Sequence, residues 1–162
     1  KLAEQKPQQR AVIVYDSMWG STGKMAAAIM SGMVDEGVPC QLIDIQKNHH
    51  SDVMTALADC GAVLVGSPTH NNSILPAIAD VLTYMKGLRP LNRVGAAFGS
   101  YGWSGEAPKH IQEWLAGMNI ELPAEPLKLQ FVPRHEGLVQ CRALGVTVAQ
   151  ALKAKCGTNA AC

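Results

Sequence analysis

Short apolar runs alternate along this chain with longer segments in which apolar residues recur every third or fourth position. Residues Ala11–Tyr15, Ala62–Gly66 and 94–99 are almost wholly apolar or glycine. Such runs predict strands covered on both faces. Residues 40–45 (CQLIDI) and 127–132 (LKLQFV) place polar residues between apolar ones, which predicts strands with one face less completely covered. The helical stripes fall between them. Met25, Ala26, Ile29, Met30 and Met33 form the first, in a helix ended by Gly37. Ile74, Ile78, Val81, Leu82 and Met85 form another; Ile111, Trp114, Leu115 and Met118 a third; Leu138, Cys141, Gly145, Val148 and Leu152 a fourth. A weaker helix is predicted over 52–59.

The resulting series, β-α-β-α-β-α-β-α-β-α, predicts a parallel sheet with helices on both faces. The second and fifth strands carry the polar interruptions and belong at the edges; the first, third and fourth belong inside. The order 2-1-3-4-5 satisfies this. The expected fold is therefore an α/β, doubly wound five-stranded parallel sheet in three α/β/α layers, with flavodoxin-like strand order.

A length of 162 residues fits one domain. No apolar run approaches the ~20 residues of a membrane span, and no basic segment followed by an apolar one marks a signal peptide. The net charge of +1, with Lys and Arg scattered, argues against a nucleic-acid surface. Five cysteines, odd in number and without a C-x-x-C, read as reduced thiols of a cytoplasmic protein. Residues 1–9 read as a linker remnant, 10–155 as the domain and 156–162 as a flexible tail. With Lys1 in place of a Met, this looks like an excised domain.

In such a sheet ligands bind beyond the carboxyl ends of the central strands, and three loops there are unusual. Asp16–Gly23 holds Ser17, Met18, Trp19, Gly20, Ser21 and Thr22: hydroxyls and glycines at a helix start, where free N–H groups and the helix dipole favour a phosphate. It is neither a Walker loop nor G-x-G-x-x-G. An ordinary N-cap at Ser21 or Thr22 is the plainer alternative. The second loop, Ser67, Pro68, Thr69, His70, Asn71, Asn72 and Ser73, is too long for a plain turn and offers donors and acceptors to a heteroaromatic edge. His70 has no second ligand at zinc spacing. The third, Ser100, Tyr101, Gly102, Trp103, Ser104 and Gly105, spaces aromatic residues with glycines, as suits stacking on a planar ring. A phosphate cradle, a polar edge and an aromatic wall together describe a flavin mononucleotide (FMN).

These same motifs, Ser-Met-Trp-Gly-Ser-Thr at 17–22, Ser-Pro-Thr-x-Asn-Asn at 67–72 and Ser-Tyr-Gly-Trp-Ser-Gly-Glu-Ala at 100–107, closely resemble the flavodoxin domain of flavodiiron proteins (A-type flavoproteins). The resemblance spans about residues 10–155. It implies that the first loop, residues 17–22, binds the FMN phosphate. It also implies that Pro68–Asn72 line the ring and its ribityl chain, and that Ser100–Gly105 cover the ring's other side. It further implies electrons accepted from rubredoxin or a flavin reductase and delivered to a di-iron site that reduces dioxygen or nitric oxide. That site belongs to a separate metallo-β-lactamase-like domain, and a homodimer is implied for the full-length form. The H-x-E-x-D-H motif of the di-iron domain is absent from this chain. Free-standing flavodoxins are usually acidic and carry T-x-T-G-x-T in the first loop. Trp19 in the middle position and the near-zero charge favour a tethered module over a roaming carrier.

No side chain need act as acid, base or nucleophile, since the cofactor carries the redox chemistry. The absence of Lys or Arg at the ring disfavours an anionic reduced flavin. The alternatives are an independent flavodoxin electron carrier, an NAD(P)H:quinone reductase of the same fold, and an interaction module with no flavin.

Overall fold

The computed structural model describes residues 8–158, in which ten elements alternate. They are β1 (Ala11–Tyr15), α1 (Ser21–Asp35), β2 (Cys40–Asp44), α2 (His50–Ala58) and β3 (Ala62–Gly66), then α3 (Pro76–Leu88), β4 (Val94–Tyr101), α4 (Glu106–Gly117), β5 (Leu127–Gln130) and α5 (His135–Thr158). The strands form one sheet in the order β2-β1-β3-β4-β5, every pair parallel. The burial that predicted this order is present: β3 is buried throughout, whereas β5 alternates between half-buried and exposed residues.

Alternation within the strands builds two cores, because successive side chains point to opposite faces. Ala11 and Ile13 join Leu64, Phe98 and the apolar stripes of α1 and α5. Val12 and Val14 join Val63, Val65 and the stripes of α2, α3 and α4. The α1–α5 contact is made without side-chain spacers. A Cβ built on Gly32 would fall against the carbonyl oxygen of Arg142, and one on Gly145 against that of Ile29. Only glycine permits backbones to approach this closely.

Several boundaries differ from the pattern-based reading. β4 runs on through Ser100 and Tyr101, which were expected in a loop, because Ser100 pairs with Leu129 and Tyr101 with Gln130 on the neighbouring strand. β5 stops at Gln130 instead of 132, since Phe131 takes a left-handed φ of 58° and leaves the pleat. α3 begins at Pro76, a residue well suited to a first helical turn, so Ile74 precedes the helix. α2 begins two residues early, at His50, with His49 as N-cap and Asp52 closing a capping box. α5 continues to Thr158, and Cys156 is buried against the α1–α5 core. The tail expected from residue 156 is thus helical at its start. Residues 159–162, and 1–7 of the expected linker, lie outside the described residues.

Candidate functional site

Three segments converge at the carboxyl ends of β1, β3 and β4. The first connects β1 to α1. Asp16 is buried, and its Oδ1 accepts from the Ser17 N–H at 2.8 Å; Ser17 Oγ in turn accepts from the Gly20 N–H at 2.9 Å. The N-cap of α1 is Gly20, in a left-handed conformation with φ 84°, where a Cβ would be strained. Neither Ser21 nor Thr22 is the cap, and no side chain caps the helix. The first intrahelical bond runs from Lys24 N to Gly20 O. The N–H groups of Ser21, Thr22 and Gly23 therefore have no acceptor within the helix. With no acidic residue in that first turn, the helix start presents donors and partial positive charge.

The second segment leaves β3. Ser67 closes it from within: its Oγ accepts from the Leu75 N–H at 3.0 Å and donates to Pro68 O at 2.9 Å. Thr69 N–H bonds to Ser100 O, extending the sheet, while Thr69 Oγ1 accepts from the Ala107 N–H at 3.2 Å and so satisfies a first-turn donor of α4. At the tip, His70 and Ser73 exchange N–H···O bonds of 2.9 Å. Asn71 and Asn72 between them have φ 48° and 59°. This is a two-residue turn of the type that requires left-handed residues and selects asparagine.

The third segment joins β4 to α4 and is tied to both neighbours. Ser104 Oγ donates to Asn72 Oδ1 at 2.9 Å, and Gln130 Nε2 donates to Gly102 O at 3.3 Å. The Phe131 N–H donates to Tyr101 O at 2.7 Å.

Between the segments lies a cleft of about 550 Å³, in the range of small-molecule sites. Eleven residues expected at the site line it: Met18, Trp19, Ser21, Pro68, Thr69, His70, Asn71, Ser100, Tyr101, Gly102 and Trp103. Six do not. Ser17 and Gly20 organise the first loop, while Asn72 and Ser104 bond to each other. Gly105 is the N-cap of α4. Thr22 is fully buried, its Oγ1 3.0 Å from Ser100 Oγ, so its hydroxyl serves the interior and Ser21 holds the first-turn hydroxyl on the cleft. Phe131 and Val132 also line the cleft, which the pattern reading missed because it counted them as strand. Among the described residues, no Asp, Glu, Lys or Arg lines it. Its large apolar residues stand open: Trp103 is 98% exposed, Trp19 87%, Phe131 61% and Val132 55%. Among the described residues, no three His, Cys, Asp or Glu side chains cluster as a metal site, and no helix is long and apolar enough to cross a membrane.

Residues 13–145 match the family model described as Flavodoxin. The chain belongs to the flavodoxin family. Among its relatives is the rubredoxin-oxygen oxidoreductase of Megalodesulfovibrio gigas, 52% identical over 94% of this chain and 38% of that protein. The solved structure of rubredoxin oxygen:oxidoreductase from Desulfovibrio gigas superposes with a TM-score of 0.93 at 52% identity, covering 95% of this chain and 38% of that one. The nitric oxide reductase of Moorella thermoacetica is 48% identical over 91% of this chain and 37% of its own length. The chain thus spans well under half of these relatives. A flavodoxin from the domain Archaea, 32% identical with a TM-score of 0.80, is covered over 99% of its length and 89% of this chain. FMN is the cofactor of this flavodoxin domain, and the cleft fits it. The uncapped start of α1 beside Ser21 is a donor set for a phosphate, and the uncharged, aromatic remainder suits a flat heterocyclic ring.

Proposed function

We propose that this domain is the electron-relay module of a flavodiiron-type oxygen or nitric oxide reductase. In this reading it takes electrons from rubredoxin or a flavin reductase and passes them to a di-iron site on a metallo-β-lactamase-like domain of the same protein. Bound FMN supplies the one- and two-electron chemistry; the protein supplies grip and environment. Ser21 and the first-turn N–H groups of α1 hold the phosphate. Pro68, Thr69, His70 and Asn71 meet the ring and ribityl edge, and Met18, Trp19, Tyr101 and Trp103 flank the ring. With no Lys or Arg among the described residues lining the cleft, extra negative charge on the ring goes uncompensated, which lowers the potential for full reduction.

The observation that carries the tethered reading is the rim. Five large apolar side chains, those of Met18, Trp19, Trp103, Phe131 and Val132, stand exposed around a cleft that no Asp, Glu, Lys or Arg lines among the described residues. An apolar patch of this kind suits a face covered by a neighbouring domain, and it lacks the charge that steers a diffusing carrier to its partner. The partial coverage of the oxidoreductase relatives supports the same view. A free-standing carrier is the second reading, favoured by the near-complete coverage of the archaeal flavodoxin. A reducing, cytoplasmic setting belongs to the proposal, supported by the buried free thiols of Cys60 and Cys141.

The test is electron transfer from the FMN-loaded chain, reduced with dithionite, to three acceptors: a separately expressed di-iron domain, cytochrome c, and a quinone. Rapid transfer to the di-iron domain with little salt dependence is expected. Faster, strongly salt-dependent transfer to cytochrome c would assign a roaming carrier. Rapid NAD(P)H-driven quinone reduction would assign a reductase. Failure to take up FMN would end the flavin reading.

A further inference from the structure

The loop that opens α1 is braced from a strand outside the three cleft-lining segments. β2 ends in a tight turn that follows Asp44. Asp44 Oδ1 accepts from the Gln46 N–H at 3.0 Å, Asp44 O accepts from the Lys47 N–H at 3.0 Å, and Asn48 Nδ2 donates to the same carbonyl at 2.9 Å. The Ile45 N–H still bonds to Tyr15 O, so the turn is stitched to the end of β1. These bonds present the Gln46 side chain to the neighbouring loop. Its Nε2 donates to Asp16 Oδ1 at 2.7 Å and to Ser17 O at 2.8 Å. A primary amide has two N–H bonds, and both are used.

From there the bonding runs directly into the helix start. Asp16 Oδ1 also accepts from the Ser17 N–H, and Ser17 Oγ accepts from the N–H of Gly20, the residue whose left-handed backbone begins α1. Gln46 itself does not line the cleft. We propose that Gln46 is a positioning residue for the phosphate end of the cofactor, acting through Asp16 and Ser17 to hold the first turn of α1 in its donor geometry. This rests on the reading of that turn as the phosphate cradle.

Two physical effects give the brace its purpose. The N–H groups of Ser21, Thr22 and Gly23 converge on one anion only while the loop before them keeps its shape. Asp16 is a buried carboxylate, and the Gln46 N–H offsets charge that would otherwise stand beside a phosphate dianion. The action is local. Segments 67–75 and 102–105 are joined to each other through Asn72 and Ser104, and none of the hydrogen bonds described for them reaches the 44–48 turn.

That locality supplies the test. Gln46→Met keeps the length of the side chain and removes both N–H donors. Riboflavin shares the ring and ribityl chain of FMN and lacks the phosphate, so the ratio of the two dissociation constants isolates the phosphate end. Gln46→Met is expected to weaken FMN about tenfold while riboflavin moves less than about twofold, the loss of a charge-assisted hydrogen bond felt at one end only. A lower melting temperature with an unchanged ratio would assign Gln46 a purely structural role and overturn the proposal, as would equal weakening of both ligands or no change in either. A wild-type chain that binds FMN and riboflavin equally would overturn the phosphate cradle itself, and the proposal with it. The wild-type measurement therefore separates the two failures.

Discussion

The α1–α5 seam and the rim of the cleft use side-chain volume in opposite ways. At the seam, Gly32 and Gly145 bring two helices so close that a single Cβ would meet a carbonyl oxygen. At the rim, Trp19 and Trp103, the largest side chains available, stand almost wholly in solvent. The seam spends no surface on anything but itself; the rim keeps surface in reserve for a ligand and a neighbour. Burial of apolar area stabilises the fold only where it occurs within the chain. Sequence changes at the seam should therefore be read in stability, and changes at the rim in binding.

The largest effect that would sharpen this contrast is at the seam. Gly145→Val should destabilise the domain by about 3 kcal/mol or more, as overpacking against backbone does, measured as the urea midpoint of the cofactor-free chain. The FMN-to-riboflavin ratio of whatever remains folded should be unchanged. A midpoint near wild type would mean that the helices can separate cheaply and that the contrast is false.

Next in size is a pair of neighbouring hydroxyls. Ser21→Ala should weaken FMN by about 1.5–3 kcal/mol and leave riboflavin alone, because its hydroxyl faces the cleft and, in the proposed function, bonds the charged phosphate. Thr22→Ala removes a buried bond to Ser100 and should cost about 1 kcal/mol of stability, with FMN and riboflavin affected alike. Isothermal titration with both ligands and a melt of each variant decide it. The reverse pattern would return the phosphate contact to Thr22.

Smaller still is Trp103→Ala. At 98% exposure its loss should change stability by no more than about 0.5 kcal/mol, yet flavin fluorescence should rise as a quenching ring is removed. A changed melt with unchanged fluorescence would mean that the ring packs on the protein and not on the cofactor. The smallest effect expected is none at all. Burial pushes the Cys141 thiol up to about 11, so a maleimide at pH 8 should leave Cys141 unmodified in the native chain. A cysteine placed at the rim by Trp103→Cys should react at once and be protected by FMN. Labelling of native Cys141 would show that the seam opens.

Much of the architecture is legible in the sequence. Strand order followed from which strands tolerate polar residues, because an edge strand has a less covered face. A cleft opens where three polar or glycine-spaced loops follow the three central strands. What stayed hidden depended on where single bonds point. Ser100 and Tyr101 read as loop because a glycine-rich, polar segment carries no strand period, yet the neighbouring β5 supplies their hydrogen bonds. Phe131 and Val132 read as strand because nothing in the residue type of Phe131 announces a left-handed φ. Gln46 carried no motif at all.

By itself the sequence determined the alternation of elements, the inside and outside of the sheet and the end at which the cleft opens. These follow from hydrophobic period and composition, which are properties of runs of residues. Only the tertiary structure decided that Thr22 turns inward while Ser21 meets the cleft, that two residues beyond β5 complete the cleft's rim and that a glutamine in the turn after β2 bonds to the loop before α1. Those are properties of individual groups brought together across 30 or more residues of chain, and hydrogen bonds are too short and too directional for any local pattern to encode them.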